Sequence, residues 1–90
     1  MKRPLDVEIM GHRLTVASDE GDEHVRKVAA YVDERMREIA VARPETSTLQ
    51  VALVAALNIA SEYWKLRQAH EDVERTISRL SQRVRARLDR

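Results

Sequence analysis

The chain has 90 residues, with 16 Lys or Arg against 15 Asp or Glu, so its formal net charge is +1 at pH 7. This near balance argues against a general polyanion binder, and the length allows at most one ordinary domain. Because the chain contains no cysteine, a disulfide framework, a thiolate zinc site and a cysteine nucleophile are all excluded.

Residues 5–17 alternate between apolar and polar side chains on both sides of Gly11-His12. This period of two predicts a β-hairpin with a two-residue turn. Glycine at the first central position suits a type II′ turn, so Gly11 and His12 are predicted to form it. A lone hairpin is marginally stable in water, so we expect helices to cover its apolar face. That face carries Leu5, Val7, Ile9, Leu14 and Val16.

Two helices follow the hairpin. Apolar residues recur at steps of three and four over residues 20–42, which predicts a helix that Pro44 closes. Ser47 and Gln50 match the S-x-x-Q capping box, which predicts the start of a second helix. That helix is expected to continue to Arg90, because no Gly or Pro interrupts it. The apolar positions of the first helix are Val25, Val28, Ala29, Val32, Met36, Ile39 and Ala40.

The apolar surface of the second helix changes character along its length. The run from Val51 to Ala60 is apolar almost all round, and such a helix must be covered on every side. From Leu66 onward the apolar residues narrow to a seam at heptad spacing, which favours a parallel two-stranded coil with a second chain. The residues predicted to make this oligomeric contact are Ile59, Tyr63, Leu66, Val73, Ile77, Leu80 and Val84.

These elements predict an α+β protein in two parts. Residues 1–65 would form a small head from the hairpin, the first helix and the start of the second. Residues 66–90 would form a coiled-coil rod, since the head has too little chain to cover the whole second helix. The second helix spans roughly 40 residues, or about 60 Å, which predicts an elongated protein.

The sequence contains no recognisable catalytic or metal-binding pattern. The three histidines share no spacing, and the stretch from His70 to Glu74 lacks the second histidine of a zinc helix. We therefore predict a protein that is not an enzyme and needs no cofactor or metal. No secretory signal is visible, and the apolar run is too short to span a bilayer, so we expect a soluble, intracellular protein without membrane contact.

The C-terminal stretch is basic, with six arginines from Arg75 to Arg90 against Asp89 alone. One interpretation is contact with nucleic acid or another anionic surface. The other is a solvated coil end, where cations interact favourably with the helix dipole. The stretch has no aromatic residue that could stack on bases, which favours the second interpretation. A coiled-coil protein associated with nucleic acid through this tail remains the alternative function.

Three stretches resemble the ZapA family of bacterial cell-division proteins. Val7-Glu8-Ile9-Met10-Gly11, followed by Leu14-Thr15-Val16, is similar to the opening hairpin of that family. Val28-Ala29-Ala30-Tyr31-Val32-Asp33 with Met36-Arg37-Glu38-Ile39 resembles its first helix. Ala55-Ala56-Leu57-Asn58-Ile59-Ala60, with Glu62 and Tyr63, resembles its most recognisable stretch. The similar stretches follow one another in the same order over about residues 5–66. In the coil that follows, only the types of residue are similar.

The resemblance implies a cytoplasmic accessory protein at the midcell division ring. Such a protein would bind filaments of the tubulin-like protein FtsZ and cross-link or bundle them, without chemistry of its own. It would pair as a homodimer, and its dimers would join as antiparallel tetramers. Basic residues on the head would meet the acidic filament, and the candidates are Arg13, Arg43 and His12. The family often has Arg at the position of His12. A further alternative is a coiled-coil adaptor for a protein other than FtsZ, which would have the same physical features as a filament cross-linker.

Overall fold

The computed structural model describes residues 3–88. The elements in chain order are strand β1 (Arg3–Ile9), strand β2 (His12–Ser18), helix α1 (Asp22–Ala42) and helix α2 (Thr48–Leu88). The predicted α+β class, with a hairpin before one shorter and one long helix, is confirmed. Contacts divide the chain into two units, one ending at Ala56 and the other beginning at Leu57. This division by contacts does not test the predicted boundary between a head of residues 1–65 and a rod of residues 66–90, which stays a prediction.

The hairpin turn lies one residue earlier than the sequence predicts. The antiparallel register pairs Ile9 with His12, so the two central residues are Met10 and Gly11. The predicted Gly11-His12 turn is therefore wrong. Both central residues have positive φ, 52° at Met10 and 77° at Gly11, which is the requirement of a type I′ turn. The Met10 amide donates a hydrogen bond to Asp33 Oδ1 at 2.7 Å, and this contact from α1 helps to hold the unusual Met10 backbone.

The alternation of the two strands predicts their faces correctly. Leu5 pairs with Val16 and Val7 pairs with Leu14, so these apolar side chains share one face of the hairpin. Helix α1 packs on this face, where Val7 and Ala29 are buried. The face is incompletely covered, because Leu14 is 46% exposed. Across the other face, Thr15 Oγ1 donates to Asp6 Oδ1 at 2.7 Å.

The first turns of α2 complete a small core. Val51 and Ala55 are each 1% exposed and form a cluster with Met36 of α1. The start of α2 is fixed by Ser47, whose Oγ accepts the Gln50 amide at 3.2 Å, as the predicted cap requires. The half-buried residues packed against the cluster are Ile9, Met10, Val32, Ile39, Ala40 and Ala52.

Candidate interaction surfaces

The hairpin places His12 and Arg13 on opposite faces. His12 opens β2 opposite Ile9, so its side chain shares the face that packs on α1. Arg13 lies opposite Glu8, and both side chains leave the outer face. The two candidate contact residues are exposed next to one turn, so a partner that touches both would have to meet the turn end of the hairpin.

Arg43 lies where α1 ends. Its amide donates to the Ile39 carbonyl at 2.9 Å, and its own carbonyl accepts the Thr46 amide at 3.1 Å. These bonds fix the backbone of the connection between the helices, while the Arg43 side chain is exposed. Arg43 lines an open cleft between the helix ends, together with Ile39, Ala42, Thr46, Gln50, Leu53 and Val54.

A carboxylate of α1 connects the hairpin turn to the end of that helix. Asp33 accepts the Met10 amide through Oδ1, and its Oδ2 accepts Arg37 Nε at 2.8 Å. The hydrogen bond from Arg37, followed by that from Met10, lowers the pKa of Asp33. Met10 also lies beside the last turns of α1, where it lines one depression together with Ala40 and Val41. The turn and the end of α1 thus form one end of the first unit, which also carries Arg43.

Sequence reasoning did not identify the bonds that Asp33 makes to Arg37 and to the Met10 amide. The spacing of four residues between Asp33 and Arg37 shows that they can pair on a helix. The third participant, the Met10 amide, is 23 positions away from Asp33. A local pattern carries no signal for that contact.

The predicted oligomerisation residues all lie on α2 in the second unit. Ile59 is half-buried, whereas the remaining six are between 54% and 71% exposed in the single chain. A row of apolar side chains that is more than half exposed to water marks an interaction site. The six residues, hereafter the seam, are Tyr63, Leu66, Val73, Ile77, Leu80 and Val84.

Charges beside the seam change from paired to unpaired along α2. Arg67 pairs with Glu71 at 3.4 Å, His70 Nε2 lies 2.9 Å from Glu74 Oε1, and Arg75 pairs with Asp72. Beyond these pairs the helix carries arginines that have no ion-pair partner within residues 3–88, while Asp89 lies outside the described residues. The unpaired residues are Arg79, Arg83, Arg85 and Arg87.

The described residues show neither a metal-binding group nor a membrane-spanning helix. Between residues 3 and 88, no three His, Asp or Glu side chains are grouped so that they could hold a metal ion. In the same range, neither helix combines the length and the apolar character needed to cross a lipid bilayer.

Comparisons with known proteins agree on one family. Residues 5–89 match the family model described as "Cell division protein ZapA". A protein of that name from Bacillus thuringiensis (strain Al Hakam) is 36% identical over 78 residues, which cover 87% of this chain and 88% of the relative. Another from Shouchella clausii (strain KSM-K16) is 37% identical over 70 residues, covering 78% and 90%. The solved structure "ZapA mutant dimer from Geobacillus stearothermophilus" has a TM-score of 0.71 at 32% identity, covering 87% of this chain and 91% of that one.

Proposed function

Since the chain belongs to the ZapA family of cell division proteins, we propose that it binds FtsZ filaments at the midcell ring and cross-links or bundles them. The role needs binding surfaces only, so we assign no catalysis or cofactor to the chain. The observation that carries the proposal is the seam, because six apolar side chains more than half exposed in one row call for a second chain.

The seam residues support a parallel homodimer. Ile77 and Val84 fall at heptad position a, while Leu80 falls at d, and this combination favours two parallel strands. The solved relative is described as a dimer, which supports self-association of this chain. Antiparallel joining of two dimers, as the family resemblance implies, would give a tetramer.

Filament binding is assigned to the end of the first unit. His12 and Arg13 follow the hairpin turn there, and Arg43 comes directly after the last residue of α1. An exposed cation contributes little alone, since exposed ion pairs are worth about 0–1 kcal/mol. A dimer would display this end twice and a tetramer four times. Joining weak sites in this way can raise avidity by roughly 10²–10⁴ through effective concentration.

Co-sedimentation with FtsZ polymers tests the proposal. The wild-type chain should pellet with the polymers, and light scattering should rise as filaments bundle. A variant with a disrupted seam should keep its folded head, bind more weakly and lose bundling, because single heads cannot cross-link. Failure of the wild-type chain to pellet with FtsZ would reject the filament role, even if the chain forms dimers.

The unpaired arginines favour one alternative, a coiled-coil protein associated with nucleic acid. Arg79, Arg83, Arg85 and Arg87 would be doubled in a dimer, and such a surface could neutralise phosphates. This alternative predicts duplex DNA binding that weakens steeply with salt and disappears when residues 83–90 are removed. A gel shift that shows no complex at low salt would reject it.

A further inference from the structure

One imidazole interrupts the apolar layers of the second unit. Ile77 falls at heptad position a, so His70 falls at the same position one heptad earlier, between Leu66 and Val73 at position d. In a parallel dimer, residues at position a face their own copy across the axis of the coil. The two His70 side chains would therefore meet between two apolar layers.

Glu74 places a carboxylate beside each imidazole. His70 Nε2 lies 2.9 Å from Glu74 Oε1, one turn further along α2. Ligand atoms of one tetrahedral zinc ion lie about 3.3–3.6 Å apart, since each is about 2.0–2.2 Å from the metal. Both side chains are more than half exposed in the single chain, at 71% and 66%. A small adjustment of either side chain would thus admit a metal ion between these two atoms.

The charges around this pair leave one carboxylate in each copy without a cation. Two arginines and three carboxylates lie between residues 67 and 75. Both arginines already have acidic partners, which are Glu71 and Asp72. Within the described part of the chain, Glu74 is paired with the imidazole of His70 alone. A dimer would bring two such carboxylates together, and one divalent cation would neutralise them.

A second copy brings no competing cation to Glu74. Glu74 falls at position e, and the position g that faces it across a parallel pair is occupied by Ala69. This small side chain leaves space for Glu74 to turn toward the axis of the coil. The same alignment brings Glu62 at g toward Arg67 at e, and these opposite charges favour the parallel register.

We propose that two copies of this chain bind one zinc ion between them in the coil. His70 and Glu74 of each copy would supply two nitrogen and two oxygen ligands, a set that suits tetrahedral Zn²⁺. One copy is not sufficient, because no three His, Asp or Glu side chains are suitably grouped among residues 3–88. The second histidine comes from the other copy. The ion would be structural, and the site rests on the parallel dimer of the proposed function.

Titration calorimetry of the full chain with Zn²⁺ tests the site. One ion should bind for every two chains. His70→Asn should abolish this binding while the chains stay paired, because asparagine at position a is compatible with a parallel dimer. Glu74→Gln should weaken binding by about tenfold or more, since even residues that only support metal ligands contribute about 10- to 100-fold.

Two variants control for charge and for the other histidines. Glu71→Gln removes the same charge from a carboxylate that an arginine already pairs, and it should change zinc affinity by less than about twofold. His24→Asn removes a histidine of α1 and should leave both the affinity and the ratio of one ion to two chains unchanged.

Sedimentation equilibrium measures the effect of the ion on pairing. With free Zn²⁺ at about a hundred times its dissociation constant, the dimer should become about 100-fold tighter, because the ion binds only the paired state. Mg²⁺ at the same concentration should have little effect, because it prefers a shell of oxygen ligands. The His70→Asn dimer should not respond to Zn²⁺.

The possible failures of the site and of the filament role are distinguishable. One zinc ion per chain, undiminished binding by His70→Asn, or a dimer that does not respond to Zn²⁺ would each overturn the shared site, even if the chain bundles FtsZ. If the chain forms dimers but does not pellet with FtsZ, the filament role fails and the zinc titration still decides on the site. A chain that stays single with and without Zn²⁺ would overturn the parallel dimer and the site together.

Discussion

Replacing Ile77 with glutamate tests whether the seam is the dimer contact. Ile77 is 59% exposed in the single chain. Full burial of an isoleucine side chain is worth about 1.5–3 kcal/mol, so covering the exposed part is worth about 1–2 kcal/mol in each copy. Two copies meet in a dimer, which makes the loss about 2–4 kcal/mol and the dimerisation constant about 30- to 900-fold weaker. Two facing glutamates without partners would weaken it further.

Sedimentation equilibrium of Ile77→Glu measures the effect directly. The variant should sediment as a single chain at concentrations where the wild type is a dimer. Ser78→Glu is the matched control, because it adds the same charge at the next position, outside the seam. It should leave the dimer intact. An Ile77→Glu variant that keeps the wild-type oligomer would refute the register, and equal weakening by Ser78→Glu would show that the effect is general repulsion.

Three further predictions concern the first unit. Val51→Ala removes two methyl groups from a side chain that is 1% exposed, and it should lower the free energy of unfolding by about 2–3 kcal/mol in urea titrations. Leu49→Ala, at a position that is 69% exposed, should lower this free energy far less. Equal losses for the two variants would contradict the core described above. No atom lies within 4 Å of a Cβ added at Gly11, so Gly11→Ala should lower the free energy of unfolding by about 1 kcal/mol through the positive φ alone. Gly11→Asn should lower it less, because asparagine adopts positive φ more readily. The reverse order of the two variants would contradict the type I′ turn. Hydrogen bonds from Arg37 and Met10 lower the pKa of Asp33, so its charge stabilises the fold above the unfolded pKa of about 3.9, and this effect is lost as pH falls through the folded pKa. The difference in unfolding free energy between wild type and Asp33→Asn should therefore shrink on acidification. A difference that does not depend on pH would contradict this role.

The seam and the strand faces were predictable because both depend on short periods. Heptad spacing from Leu66 to Val84 and alternation in Leu5, Val7 and Ile9 each place residues on one side of one element. Val28 shows the limit of such patterns. It belongs to the predicted apolar face of α1 but is 48% exposed, since the small hairpin covers only part of that helix.

The turn was predicted wrongly because glycine fits more than one hairpin turn. Gly11 could be the first central residue of a type II′ turn or the second of a type I′ turn. The second choice requires positive φ at Met10, which an unbranched nonpolar residue rarely adopts. The hydrogen bond from the Met10 amide to Asp33 helps to offset that strain, and it depends on how α1 packs. This contact joins residues 23 positions apart, so it could not be read from the local sequence either.

The small core has a consequence for how the chain behaves at different concentrations. Among residues 3–87, five apolar residues are buried, namely Val7, Ala29, Met36, Val51 and Ala55. With so little surface removed from water, we expect a single copy to be marginally stable and a second copy to supply much of the remaining stability. Pairing would then add stability that depends on the protein concentration to a head that can fold by itself. Copies present below the dimer dissociation constant would unfold more often and be more open to proteases, so the folded fraction would rise with the amount of protein synthesised.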